Sequence, residues 1–88
     1  MQSNRFDREP SAPALPLHLL RLGDSAEITS LGGGRGVVRR LAEMGLAPGA
    51  RVTVVSDAGG GGPIVVRVGD TRLGLGRGMA RHVLVRPG

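Results

Sequence analysis

The sequence predicts a mainly β fold: a small, strongly bent barrel of about five short strands with one short amphipathic helix, about residues 37–44. Three observations carry this. Short segments alternate apolar and polar residues with a period of two, as half-buried strands do. A single segment, Val37 to Met44, has helical periodicity instead. Sixteen Gly and six Pro among 88 residues place a turn or corner between nearly every pair of segments. Strands this few and short cannot form two well-covered sandwich sheets, so one sheet curled on itself is the better fit.

Residues 1–16 carry Pro10, Pro13 and Pro16 among polar groups, bury little, and are expected to form a disordered N-terminal tail. The domain, residues 17–88, then opens on Leu17, Leu20 and Leu22 as apolar anchors. Gly23-Asp24 turns the chain. Ala26 and Ile28 then alternate with Glu27 and Thr29 in a strand reaching Leu31. "GGGRG", residues 32–36, reads as a flexible loop before the helix. In that helix Val37, Val38, Leu41, Ala42 and Met44 gather on one side, with Arg39, Arg40 and Glu43 on the other.

The helix has a clear stop. Gly45 supplies a left-handed residue, and Leu46 can fold back on the last turn as in a Schellman motif. Pro48-Gly49 fits the central positions of a type II turn, and the strand "RVTVV" follows. After the Gly-rich loop "SDAGGGGP", residues 56–63, comes a hairpin: "PIVVRV" and "TRLGLG" flank Gly69-Asp70, a pair suited to a type II′ turn. In that register Val68, Val66 and Ile64 face Thr71, Leu73 and Leu75 on one side, and Arg67 faces Arg72 on the other. A slip of one residue would scatter the apolar face. "RGMA" reads as a corner, and "HVLVR" as the last strand.

Composition narrows the chemistry. Cysteine is absent, which excludes disulfides, thiolate metal sites and a cysteine nucleophile. No apolar run approaches the roughly twenty residues that span a bilayer. The N-terminal residues lack the apolar core of a secretory signal, so a cytoplasmic protein is expected. The net charge is +5 and every basic residue is Arg. In residues 1–16 Arg5 and Arg8 balance Asp7 and Glu9, so the domain carries the whole excess. Such a domain can attract nucleic acid, an anionic membrane or an acidic protein face.

No catalytic set is legible. His18 and His82 stand at opposite ends of the domain, and Asp24, Glu27, Glu43, Asp57 and Asp70 are dispersed. A ferrous-iron carrier built on the two histidines is one reading, although so sparse a donor set makes a poor site. "GGGRG" lacks the Gly-Lys-Ser/Thr that completes a phosphate loop, and "GRG" at 76–78 is at most a small anion nest. A nucleic-acid-binding barrel is a further reading, weakened because single-strand binders stack bases on aromatic rings. The chain's one aromatic residue, Phe6, lies in the tail. The Arg67–Arg72 opposition disfavours its own hairpin, and the same outward face continues through Gly74 and Gly76, where another backbone can approach. Arg67, Arg72 and Arg77 are therefore candidate residues for one partner-docking face, and Arg39 and Arg40 for another. No catalytic residue, metal ligand or cofactor is expected.

An ordered series of residues resembles the FeoA family: Leu41, Gly45 and Leu46, then Pro48-Gly49, Pro63-Ile64, Leu73, Leu75, Ala80, Val83 and Val85. It spans about residues 17–87. Two positions depart from the family pattern: Gly62 stands where members often have Asp, and Gly76 where they often have Arg, a role Arg77 could take. The resemblance implies an SH3-like barrel and a small cytosolic accessory protein of bacterial ferrous-iron uptake. It also implies a partner, the membrane permease FeoB with its cytosolic GTP-binding domain. On this reading the chain is a non-enzymatic adaptor or regulator that meets the membrane only through its partner and binds no nucleic acid.

Overall fold

The computed structural model describes residues 13–88. Among them are six strands: β1 (Leu15–Pro16), β2 (Ser25–Leu31), β3 (Arg51–Asp57), β4 (Ile64–Val68), β5 (Thr71–Leu75) and β6 (Val83–Pro87). Two helices interrupt them, α1 (Arg35–Glu43) and the single turn α2 (Arg77–Ala80), and a 3₁₀ turn covers Leu17–Leu19. The strands form one antiparallel sheet in the order β1-β6-β2-β3-β4-β5. Its edges, β1 and β5, do not pair with each other, so the sheet bends without closing. The mainly β fold class stands, with one strand more than expected.

Curvature follows from the core. Ala26 and Ile28, Val52 and Val54, Ile64 and Val66, Leu75, and Val83 and Val85 all lie in one buried cluster. One face of five strands can converge on a single cluster only if the sheet wraps around it. Register shifts between Ile28 and Ser30 and between Val54 and Ser56 mark β-bulges, which sharpen bend and twist. Leu17, Leu20, Leu41, Leu46 and Ala80 complete the cluster from the turns and helices.

The punctuation around α1 forms as its residues require. The Gly45 N–H donates to the Ala42 carbonyl and the Leu46 N–H to the Leu41 carbonyl, each at 2.9 Å, with Gly45 at φ 93°. That is the Schellman pattern, and Leu46 is fully buried behind it. Gly49, at φ 94°, and the Ala50 N–H donating to the Ala47 carbonyl at 3.0 Å complete the type II turn. Ile28 of β2 holds this turn: its carbonyl accepts from Gly49 and its N–H donates to Ala50, each at 2.8 Å. The hairpin also forms in the expected register, Ile64 opposite Leu75 through Val68 opposite Thr71. Gly69 has φ 60° and Asp70 a negative φ, as type II′ requires.

Four details differ from the sequence reading. The last two residues of the expected tail, Leu15 and Pro16, form β1 opposite Val85 and Leu84, so the domain starts before Leu17. The rest of that tail, through residue 12, lies outside the described residues. Leu22 is not an anchor: it is 66% exposed at a turn, while Leu17 and Leu20 are buried. The helix starts at Arg35, inside the expected loop, because Gly34 caps it and its carbonyl accepts from the Val38 N–H at 3.0 Å. Its buried side is narrower than the wheel suggested, with Val37, Leu41 and Met44 packed on the core and Ala42 exposed.

Candidate docking surface

The outer face of the sheet is where the strands collect charge. Arg67 and Arg72 are exposed cross-strand partners. Because Val68 and Thr71 flank a two-residue turn, the next pair out does not share ladder hydrogen bonds, and its α-carbons approach to about 4.5 Å. Neither guanidinium has a hydrogen-bond partner among the described residues. Arg67 is opposite Thr53 on its other side, and Thr53 is opposite Ser25. The Ser25 and Thr53 hydroxyls hydrogen-bond at 2.8 Å, which ties the centre of the row together.

One pleat away on the same face runs a second row: Arg51 opposite Glu27, and Glu27 opposite Arg86. Arg51, two residues before Thr53, is a diagonal neighbour of Arg67. It also donates to the Gly88 carbonyl. The two rows make one patch of four Arg and one Glu. Like charges held this close on an exposed face repel weakly in water, and that repulsion is relieved when an anionic surface covers them. The charge reading of the hairpin alone missed Arg51 and Arg86, which stand on other strands.

The remaining candidates stand apart. Arg77 donates to Asp57 at 2.6 Å, the one ion pair among the described residues, with both side chains about a quarter exposed. Asp57 also accepts the Gly59 N–H at 2.9 Å. This triad joins α2 to the start of the Gly-rich loop, so Arg77 is occupied internally. Arg39 and Arg40 are exposed on α1, and Arg39 lines a shallow depression with Arg35 and Gly36. They form a separate basic site at the helix, not part of the sheet patch.

The histidines are likewise separate. The His82 ring lies against Gly33: a β-carbon built there would meet three ring atoms at 2.8–2.9 Å. The His82 carbonyl accepts the Gly32 N–H at 2.8 Å. These contacts fasten the loop that leads into α1 to the start of β6. His18 belongs to the 3₁₀ turn, with a buried Nδ1 that has no hydrogen-bond partner among the described residues. Among the described residues no three His, Asp or Glu side chains gather as a metal would require. No helix of the described residues is long and apolar enough to cross a membrane.

Comparison with known proteins agrees with this architecture. The FeoA domain model matches residues 15–87. A provisional Fe(2+) transport protein A of Methanocaldococcus jannaschii is 26% identical over 70 residues, covering 80% of this chain and 83% of its own. The crystal structure of an iron uptake regulatory protein, FeoA, superposes with a TM-score of 0.79 at 34% identity, over 88% of this chain and 100% of that one. The zinc complex of Stenotrophomonas maltophilia FeoA, described as a prokaryotic SH3 domain protein and a candidate ferrous-iron transport activating factor, superposes with a TM-score of 0.69. It is 35% identical and covers 84% of this chain and 89% of that one. The match begins at β1 and ends in β6, and so takes in the whole sheet and both helices: the chain belongs to the FeoA family.

Proposed function

We propose that this protein is a non-enzymatic adaptor of ferrous-iron uptake that acts by contact with an FeoB-type permease, through that permease's cytosolic GTP-binding domain or its membrane part. On this reading it acts in the cytoplasm and meets the membrane only through its partner. Membership in the FeoA family supports the iron-transport setting. The observation that carries the adaptor reading is the sheet patch: Arg51, Arg67, Arg72 and Arg86 against the single Glu27. Among the described residues Arg67 and Arg72 have no internal partner to satisfy, and their opposition weakens the hairpin that displays them. A face of this kind recognises acidic protein surface. Arg39 and Arg40 offer a second contact, and Arg77 contributes by holding α2 in place.

Binding to the cytosolic part of the permease tests this, with no nucleotide, with GDP and with a non-hydrolysable GTP analogue, each at two salt concentrations. We expect saturable binding that depends on nucleotide and weakens with salt. Arg67→Ala combined with Arg72→Ala should weaken it about tenfold at low salt and flatten the salt dependence, since complementary charge sets both. An unchanged affinity in that double variant removes the sheet patch from the interface. Absence of binding in every state rules out docking on the soluble domain.

A further inference from the structure

The open edge of the sheet supplies a mode for such a contact. β5 pairs with β4 on one side, and no other strand among the described residues lies along its far side. In an antiparallel hairpin the residues alternate between exchanging ladder hydrogen bonds and turning their backbone groups away from the partner strand. Thr71, Leu73 and Leu75 bond to β4, so the N–H and C=O groups of Arg72 and Gly74 point to the open edge. Among the described residues no turn, loop or side chain takes up those four groups.

The two edges of the sheet are unlike. β1 is two residues long and includes Pro16, which blunts pairing. β5 is five residues long, has no proline and pairs without a register shift. Among the described residues its one guard is charge, the Arg72 side chain beside Arg67. That guard repels a basic strand, and a second copy of this chain, at net charge +5, is such a partner. It attracts an acidic one. Gly74 leaves the outer face open, because a β-carbon built there meets nothing within 4 Å. On the inner face Leu73 is half-buried and packs on the core, so an added strand can continue the apolar side beyond it.

We propose that the β5 edge takes up an extended acidic segment of a protein partner as an added strand. The backbone groups of Arg72 and Gly74 supply the hydrogen bonds, as in strand-addition recognition generally. Acidic side chains on the outer face meet Arg72 and Arg67, and apolar side chains on the inner face lie beside Leu73. The segment recognised therefore alternates acidic and apolar residues. This rests on the docking reading above, and adds that the contact is made through backbone as well as charge.

The test uses the full chain, isotope-labelled, and a synthetic peptide of alternating glutamate and valine. A second peptide has the same side chains but N-methyl groups at alternate residues, which removes backbone donors and keeps the charge. We expect saturable binding of the first peptide, with amide exchange at Arg72 and Gly74 slowed about tenfold, and binding of the methylated peptide weaker by about tenfold, the loss of one or two hydrogen bonds. Gly74→Pro should weaken binding similarly, since proline is tolerated where a strand's N–H faces outward. Equal binding of both peptides, or exchange at Arg72 and Gly74 left unchanged in the bound state, overturns strand addition while leaving charge docking intact. No binding of the unmethylated peptide also overturns it, whereas permease binding by the sheet patch is decided separately.

Discussion

Gly33→Ala is the perturbation that most directly checks how the helix is held. Gly33 has φ 90°, and a β-carbon there would overlap the His82 ring. Gly34, with φ 92° and ψ 170°, is similarly strained for an L-residue, but a β-carbon there meets nothing within 4 Å. Gly34→Ala should therefore show a backbone cost alone, of about 1–3 kcal/mol. Gly33→Ala adds an overlap that either forces the ring from its place or shifts the loop, about 1–2 kcal/mol more by comparison with overpacked sites. The decisive quantity is the coupling between positions 33 and 82. With His82→Ala in the background the overlap disappears, and Gly33→Ala should cost about 1 kcal/mol less than it does with the histidine present. Urea unfolding followed by far-ultraviolet circular dichroism measures this, because the chain has no Trp or Tyr to report by fluorescence. A coupling below about 0.5 kcal/mol, within the additivity of independent sites, would show that the ring does not rest on Gly33 and that the helix is positioned by other means.

Two more outcomes follow from the packing and the charge patch. Leu41 is the one fully buried side chain of α1, so Leu41→Ala should lower stability by about 2–5 kcal/mol in the same unfolding measurement, far more than the exposed Ala42→Ser. Arg72→Thr should raise stability by a few tenths of a kcal/mol, by ending the opposition to Arg67, and should also weaken partner binding. A thermal melt read beside a binding isotherm separates the two effects.

What was legible in the sequence was local. The hairpin's register is set within twelve residues, by a two-residue turn that admits one pairing and by an alternation that a slip would ruin, and Ile64 to Leu75 pair accordingly. The helix stop at Gly45 and the turn at Pro48-Gly49 are equally local, because each depends on the φ that one residue can adopt. The family series runs through these same positions, which is why the fold class could be named from the chain alone.

Tertiary structure decided whatever depends on strands far apart in the chain. β1 is two residues long and has no periodicity of its own; it exists because Val85 and Leu84 of β6 offer it an edge. Leu17 and Leu20 enter the core while Leu22, of the same type, stays exposed, since the turn at Gly23 aims it outward. The sheet patch has the same origin. Arg67 and Arg72 meet through a turn of fixed geometry, but Arg51 and Arg86 join them only through the pairings of β2 with β3 and β6. Those registers cross a Gly-rich loop and most of the chain, where no local rule specifies which residues stand opposite. The pairing of Arg77 with Asp57, twenty positions apart, likewise follows from register, since Asp57 and Leu75 both stand opposite Ile64, and is invisible in the spacing. Local steric rules determined the turns; burial of one shared core, which brings distant strands into register, determined which charges became neighbours.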